Sequence, residues 1–189
     1  MRLEEVVTVK IGRNLSRGHE KNDPTLVAYT YEDLINDLDG SYLDSQISPG
    51  AEQSNHKESY LSSAGDVVFS FVSSKAGIVS DLHHGKIINQ NFAKLIIEHH
   101  ELDRRYLCYA LNESHTMKKQ MAISMQGSNV PKLTPAILKE LEIELPSIEK
   151  QQTIGNAYFC LRKRQALAKK QAELEDQLYL EALKRLDHQ

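Results

Sequence analysis

The chain has 189 residues, 40 % of them hydrophobic, with 23 Lys and Arg against 26 Asp and Glu and a formal net charge of −3. That length supports one domain of ordinary size plus an appendage, and no stretch approaches the roughly 20 apolar residues that a membrane-crossing helix needs. The N-terminal MRLEEVVTVK has no uninterrupted apolar run, so it does not read as a secretion signal and points to a cytoplasmic protein.

In chain order, the alternation Val7, Val9, Ile11 predicts a strand, and Gly12 with the polar run to Pro24 predicts a long loop bearing Arg13, Asn14, Arg17, His19 and Lys21. LVAYT reads as a short strand, YEDLINDL as a helix ending at Gly40, and residues 40–65 as an irregular Ser-, Gly- and Asn-rich segment. GDVVFSFV has the apolar density and β-branching of a buried strand. SSKAG is expected to turn it, and GIVS and KIINQNFAKLII continue as strands. Asp103 opens a helical pattern carried by Tyr106, Leu107, Ala110 and Leu111, and a second short helix begins at Thr134 with Pro135 in its first position. The expected fold class is α+β: a mixed, strongly bent sheet with flanking helices over residues 1–147.

The junction LEIELPSIEKQQTI ends this domain. Pro146 stops the alternation of Leu141, Ile143 and Leu145, Ser147 offers a helix cap, and Glu149 sits in the first turn, where the helix dipole favours a negative charge. A long coiled-coil helix is expected over residues 148–189. Ile154, Tyr158, Leu161, Gln165, Ala168, Ala172, Glu175, Tyr179, Ala182 and Leu186 fall on an unbroken four-three spacing, with Leu167, Leu174 and Leu178 beside them. A helix of nearly 40 residues spans roughly 55–60 Å, longer than the domain it leaves, so much of that face needs a partner outside its own core. The apolar and aromatic members Ile154, Tyr158, Leu161, Ala168, Ala172, Tyr179, Ala182 and Leu186 are the candidate dimer interface.

The sequence contains no GxG, no GxxxxGK[ST] and no Asn-Pro-Pro-aromatic motif, and no lysine has an acid two residues before it. Nucleotide, methyl-donor and nuclease metal sites of the familiar kinds are therefore not expected, and neither catalysis nor a cofactor is assigned to the chain. The pairs His83-His84 and His99-His100 lack metal-ligand spacing, and Cys108 and Cys160 form neither a disulfide framework nor a zinc pattern.

What remains is recognition chemistry on predicted loops: Arg13, Asn14 and Arg17 in one, Ser73, Ser74 and Lys75 in a second, Gln126, Ser128 and Asn129 in a third. Arg reads guanine and Asn or Gln reads adenine through the major groove, while Lys and Ser hold phosphates. The triplet Asn89, Gln90, Asn91 is open to two readings, base contact or satisfaction of turn and edge backbone groups. Charge argues against diffuse nucleic-acid binding: residues 1–147 hold 15 basic against 20 acidic side chains, and residues 148–189 hold 8 against 6. DNA contact by this chain needs focal basic loops and a partner that supplies much of the phosphate contact.

The junction resembles the "iPLPPLxEQxxI" string that closes each target-recognition domain in the DNA-specificity (S) subunits of type I restriction-modification systems, with Ser147 and Lys150 departing from the usual proline and glutamate. GDVVFSFVSSKAGIVS is similar to that family's "GDvlxsxxGxxGxxxx", with Ser73 or Ser74 where glycine is common. VVTVKIGRNLS, INQNFAKLI, LDRRYLCYAL and QGSNVPKLTPAILKELEIELP resemble further segments of the same pattern. The resemblance implies a non-catalytic subunit that reads double-stranded DNA and directs methyltransferase and endonuclease subunits to a bipartite site. Full S subunits hold two recognition domains and two long helices that pair antiparallel. One of each here implies a half-length form that pairs with a second copy. The competing expectation is a coiled-coil interaction module, a regulatory or decayed partner of methyltransferase subunits with no DNA role.

Overall fold

The computed structural model describes residues 1–14, 27–40, 60–125 and 133–187. Four strands, β1 (Val7–Ile11), β2 (Val67–Ser70), β3 (Lys75–Ile78) and β4 (Phe92–Ile97), form one sheet in the order β1-β4-β2-β3. All three ladders are antiparallel. Among the described residues, parallel pairing is confined to two isolated bridges, Arg13 with Asn89 and Ala28 with Ile87. Helices α1 (Tyr31–Asp39), α2 (Arg104–Glu113), α3 (His115–Met125), α4 (Pro135–Glu140) and α5 (Ile148–Asp187) complete an α+β fold.

The sheet is covered on both sides, which is why β2 reads as a continuous apolar run instead of an alternating one. Val67, Phe69, Ala93 and Leu95 join the larger core with α2, α3, α4 and the first turns of α5. Val68 and Phe92 point the other way, into a smaller core with Tyr29, Leu34, Val79 and Ile88. On that second side a polar network ties α1 to the segment after β3. The Tyr29 hydroxyl donates to Asp37 at 2.7 Å, and His83 places Nδ1 2.7 Å from Asp37 and Nε2 3.2 Å from Asp33. Lys86 completes it, 2.8 Å from Asp33. Burial pulls the Asp33 carboxyl upward, but Lys86, Thr30 and His83 outweigh it and hold the group below the ordinary carboxylate range. Burial pushes the Tyr29 phenol up, with the Asp37 charge adding to it. His83 is thus a structural residue, while its neighbour His84 is exposed.

Four sequence expectations change, one of them in KIINQNFAKLII, where Phe92–Ile97 form β4 and Ile87 and Asn89 before them make isolated bridges. Lys75 and Ala76, expected within a turn, open β3 ahead of Gly77, where the expected strand GIVS begins, so the hairpin loop is residues 71–74. Of LVAYT, the described residues 27–30 contribute one bridge residue, Ala28, and no named strand. Helix α3 had no counterpart among the expected elements; its side chains HTMKKQMAISM bury only Met117 and Met121, too sparse a pattern to mark a helical face.

Helix α5 runs 40 residues, about 60 Å. Its start is built as the junction sequence implies: Leu141 and Ile143 are buried and alternate with exposed Glu142 and Glu144. The Ser147 carbonyl accepts the Gln151 N–H at 3.0 Å. The Glu149 backbone N–H and the Ser147 hydroxyl together hold the exposed Glu149 carboxylate below its ordinary range. Gln151, Gly155, Tyr158 and Phe159, at helical spacing, are the buried residues of the helix. They face α2, and Arg162 adds a contact to α1 by donating Nε–H to Asp39 at 2.8 Å. Beyond Ala166 every residue to Asp187 is exposed, a projection of about 30 Å.

Candidate nucleic-acid interface

Strand directions decide which loops meet. Because Ile11 pairs with Ala93, Ser70 with Phe92 and Ser70 with Lys75, the exit of β1, the β2–β3 loop and the entry to β4 lie at one end of the sheet. Backbone bonds lock the three together: Gly12 N–H donates to Phe92 at 2.9 Å, Arg13 N–H to Ile88 at 2.8 Å, and Phe71 N–H to Asn91 at 2.9 Å. The approach is close enough that a β-carbon on Gly12 would lie 2.1 Å from the Asn89 carbonyl oxygen, so only glycine fits there.

Within this cluster Arg13 is half-buried and Asn14 exposed. The loop 71–74 is built tightly: Ser73 N–H donates to the Ser70 hydroxyl at 3.3 Å, and Ser74 adopts the left-handed conformation with φ 53°. Ser74 therefore occupies the position where a glycine is ordinarily favoured. The Ser73 hydroxyl is buried without a partner among the described residues. Val72 stands at the tip, 72 % exposed. Lys75 turns away from the tip, its ammonium 3.3 Å from the Glu113 carboxylate and 3.4 Å from the Asn112 carbonyl. Burial raises the Glu113 carboxyl, but Lys118 and Lys75 outweigh that and keep it below its usual range. Arg17, Gln126, Ser128 and Asn129 lie outside the described residues.

The Asn89-Gln90-Asn91 triplet divides between its two readings. The Asn89 side chain is used by the fold, accepting from Asn91 N–H at 2.9 Å and donating to the Tyr29 carbonyl at 3.3 Å. Gln90 and Asn91 are exposed beside the hairpin tip. Sequence reasoning did not select Val72, because an isolated valine after a buried strand carries no signal until the turn is located.

The candidate helix interface also divides. Tyr158 belongs to the chain's own core and Ile154 packs partly against it. Tyr158 receives a hydrogen bond from Asn112 Nδ2 at 3.0 Å, and Asn112 in turn pairs with both backbone groups of Ala76, at 2.7 and 2.8 Å. The open part of the face begins at Leu161. Ala168, Ala172, Tyr179, Ala182 and Leu186 are exposed, as are Leu167, Leu174 and Leu178. Among the described residues no group of His, Cys, Asp and Glu is placed to hold a metal ion, and no helix is long and apolar enough to cross a membrane.

The family described as Type I restriction modification DNA specificity domain matches residues 1–176. Over 81 residues the chain is 26 % identical to the type I restriction enzyme MjaVIII specificity subunit of Methanocaldococcus jannaschii, a stretch that covers 43 % of this chain and 19 % of that protein. Among solved structures it is similar to the HsdS subunit from Thermoanaerobacter tengcongensis, with a TM-score of 0.54, 21 % identity and coverage of 91 % of this chain and 39 % of that one. A chain from a structure describing complex assembly and conformational transition of the type I R-M system gives a TM-score of 0.59 at 22 % identity, covering 97 % and 42 %. The S subunit from M. genitalium gives 0.53 at 14 % identity, covering 95 % and 42 %. At these identities the structural likeness is one of fold, and the chain spans about two-fifths of each solved relative's length.

Proposed function

The chain belongs to the type I restriction modification DNA specificity domain family, and on that premise we propose that it reads DNA sequence for a type I restriction-modification complex. It does no chemistry itself and directs cytoplasmic methyltransferase and endonuclease subunits, which bring the methyl donor and the ATP-driven steps. The carrying observation is the division of labour between a sheet end that gathers three polar loops and a helix whose final 30 Å or so has no cover of its own. In this reading Arg13, Asn14 and Ser74 face the DNA, Ser73 shapes the tip with its hydroxyl buried, and Lys75 meets a phosphate only by releasing Glu113.

The helix favours a second copy of this chain as its partner. The helix carries two blocks of opposite charge along its outer half: residues 163–170 contain Lys163, Arg164, Lys169 and Lys170 and no acid, with Arg162 before them bound to Asp39, whereas residues 173–181 contain Glu173, Glu175, Asp176 and Glu181 and no base. Parallel in-register pairing sets each block against its like. Antiparallel pairing about a centre near Ala172 sets the basic block against the acidic one, while Leu167, Leu174 and Leu178 supply buried area. Two recognition domains then point to opposite ends of a symmetric rod and read a bipartite site with inverted, identical halves.

Methylome sequencing of cells with and without the gene tests the reading: one bipartite adenine-methylation motif with inverted halves disappears on deletion, and an unchanged set of motifs overturns the proposal. The pairing is tested by sedimentation of the purified chain with its methyltransferase. The wild type carries two copies per complex, and Leu174→Glu with Leu178→Glu breaks them apart. A single copy in the wild-type complex rejects the homodimer. A complex that assembles but is indifferent to charge reversal at Arg13 and Arg17 supports the pure interaction module instead.

A further inference from the structure

We infer that Val72 is a specificity-determining residue that packs on a thymine methyl group in the half-site, flanked by the amides of Gln90 and Asn91. This rests on the DNA-reading function proposed above and deepens it to the class of base that the hairpin tip selects.

Val72 is 72 % exposed, yet its loop has little freedom. Its neighbour Phe71 is buried and donates its N–H to Asn91, Ser73 N–H is held by the Ser70 hydroxyl, and Ser74 is fixed at φ 53°. A β-branched side chain on such a tip keeps a restricted χ1 and presents its two methyl groups in one place, at small entropic cost on binding. Residues 71–74, Phe-Val-Ser-Ser, carry no charge, and the Val72 side chain at the tip offers a phosphate neither a charge nor a hydrogen-bond donor. A two-stranded ribbon fits the major groove, and among the groups that the four base pairs display there, the thymine C5 methyl is the apolar one. Exposed Gln90 and Asn91 lie against the same loop, and carboxamides pair bidentately with adenine. The tip therefore presents the two chemistries that together recognise A·T pairs.

The test uses the complete complex of this chain with its methyltransferase and a duplex carrying the motif that deletion of the gene removes from the methylome. Each thymine is replaced in turn by deoxyuridine, which removes only the C5 methyl group, and affinity is measured for wild type and for Val72→Ala. At one thymine per half-site the wild type loses about fourfold in affinity, the worth of one buried methyl group. Val72→Ala, unaltered in melting temperature and in assembly, loses the contact in both half-sites of the symmetric complex, binds the natural duplex about sixteenfold more weakly and no longer distinguishes thymine from uracil at that position. The assignment falls if no single replacement matters to the wild type, or if the penalty persists undiminished in Val72→Ala. It falls equally if Val72→Ala fails to assemble with the methyltransferase, because the tip then contacts protein. A methylome indifferent to the gene overturns the DNA-reading function and this inference together, whereas the other outcomes strike the Val72 assignment alone.

Discussion

The Gln151 side chain accepts the Asp103 backbone N–H at 3.0 Å, while the Asp103 carboxylate caps α2 by accepting from the Arg105 and Tyr106 N–H groups. One glutamine in the first turn of α5 thus holds the N-cap residue of α2, and its Nε2 donates to the Glu101 and Pro146 carbonyls, each at 2.8 Å. The rod is fixed to the domain through backbone groups of the segment that enters α2 and of the junction proline itself. Replacing Gln151 by Ala strands one donor and two acceptors at a site only 1 % exposed. A loss of about 2–4 kcal/mol is expected from two or more unpaired buried groups, read by chemical denaturation. A change under 1 kcal/mol would show that water replaces the side chain.

Close approach makes a second demand four residues on. A β-carbon on Gly155 would meet the Arg105 β-carbon at 2.6 Å and the Tyr106 backbone nitrogen at 2.8 Å. Alanine at a helical glycine ordinarily gains about 1 kcal/mol from helix propensity. Here Gly155→Ala is expected to destabilise instead, since α2 backbone must move, and hydrogen exchange along residues 104–113 should rise. A stabilised variant refutes the contact.

At the hairpin the sign reverses. Ser74 holds a left-handed φ of 53°, so Ser74→Gly should raise the stability of the free chain by about 0.5–1 kcal/mol, the steric relief less the entropy of a freer unfolded chain. The measurement is the urea midpoint at unchanged slope. A lower midpoint would mean that the serine hydroxyl has a structural role.

Alkaline stability tests the Tyr158 environment. Burial pushes its phenol up from the ordinary 10.0 to about 12, against the opposing hydrogen bond from Asn112 and the charge of Arg162. The fold therefore favours the neutral phenol. That contribution is complete below pH 10 and is lost as pH rises from about 10 to about 12. Tyr158→Phe should cost about 1 kcal/mol at neutral pH through the lost Asn112 hydrogen bond and fall less steeply than wild type above pH 10. Parallel curves for the two proteins over that range would rule out Tyr158 as a titrating contributor. In acid the sign is opposite: Asp33 and Glu113, both held below their ordinary range, contribute above the usual carboxylate pKa and lose that contribution as pH falls.

Local chemistry was legible wherever one segment settles its own structure. The Asp103 and Thr134 caps, Pro135 in the first turn of α4 and the proline-stopped alternation before α5 all appear where the residues imply them. Helix α3 was not legible, because it buries two methionines and little else. Gln151 was visible only as a letter of the junction motif, and Asn112 carried no signal at all. A buried amide looks like any polar helix residue until the strand and helix that it joins are placed beside it.

The residues by themselves determined an α+β domain leading into a rod, the absence of familiar catalytic motifs and the membership that its motifs imply, because periodicity, capping and turn chemistry act over a few neighbouring positions. Only the tertiary structure decided that β1, the 71–74 loop and the 89–91 turn share one end of the sheet, that Lys75 pairs with Glu113, and that Tyr158 belongs to the chain's own core while Leu167, Leu174 and Leu178 do not. Those choices depend on strand order and on which helix lies within reach. Both are set by contacts between segments tens of residues apart, whose pairing no local pattern encodes.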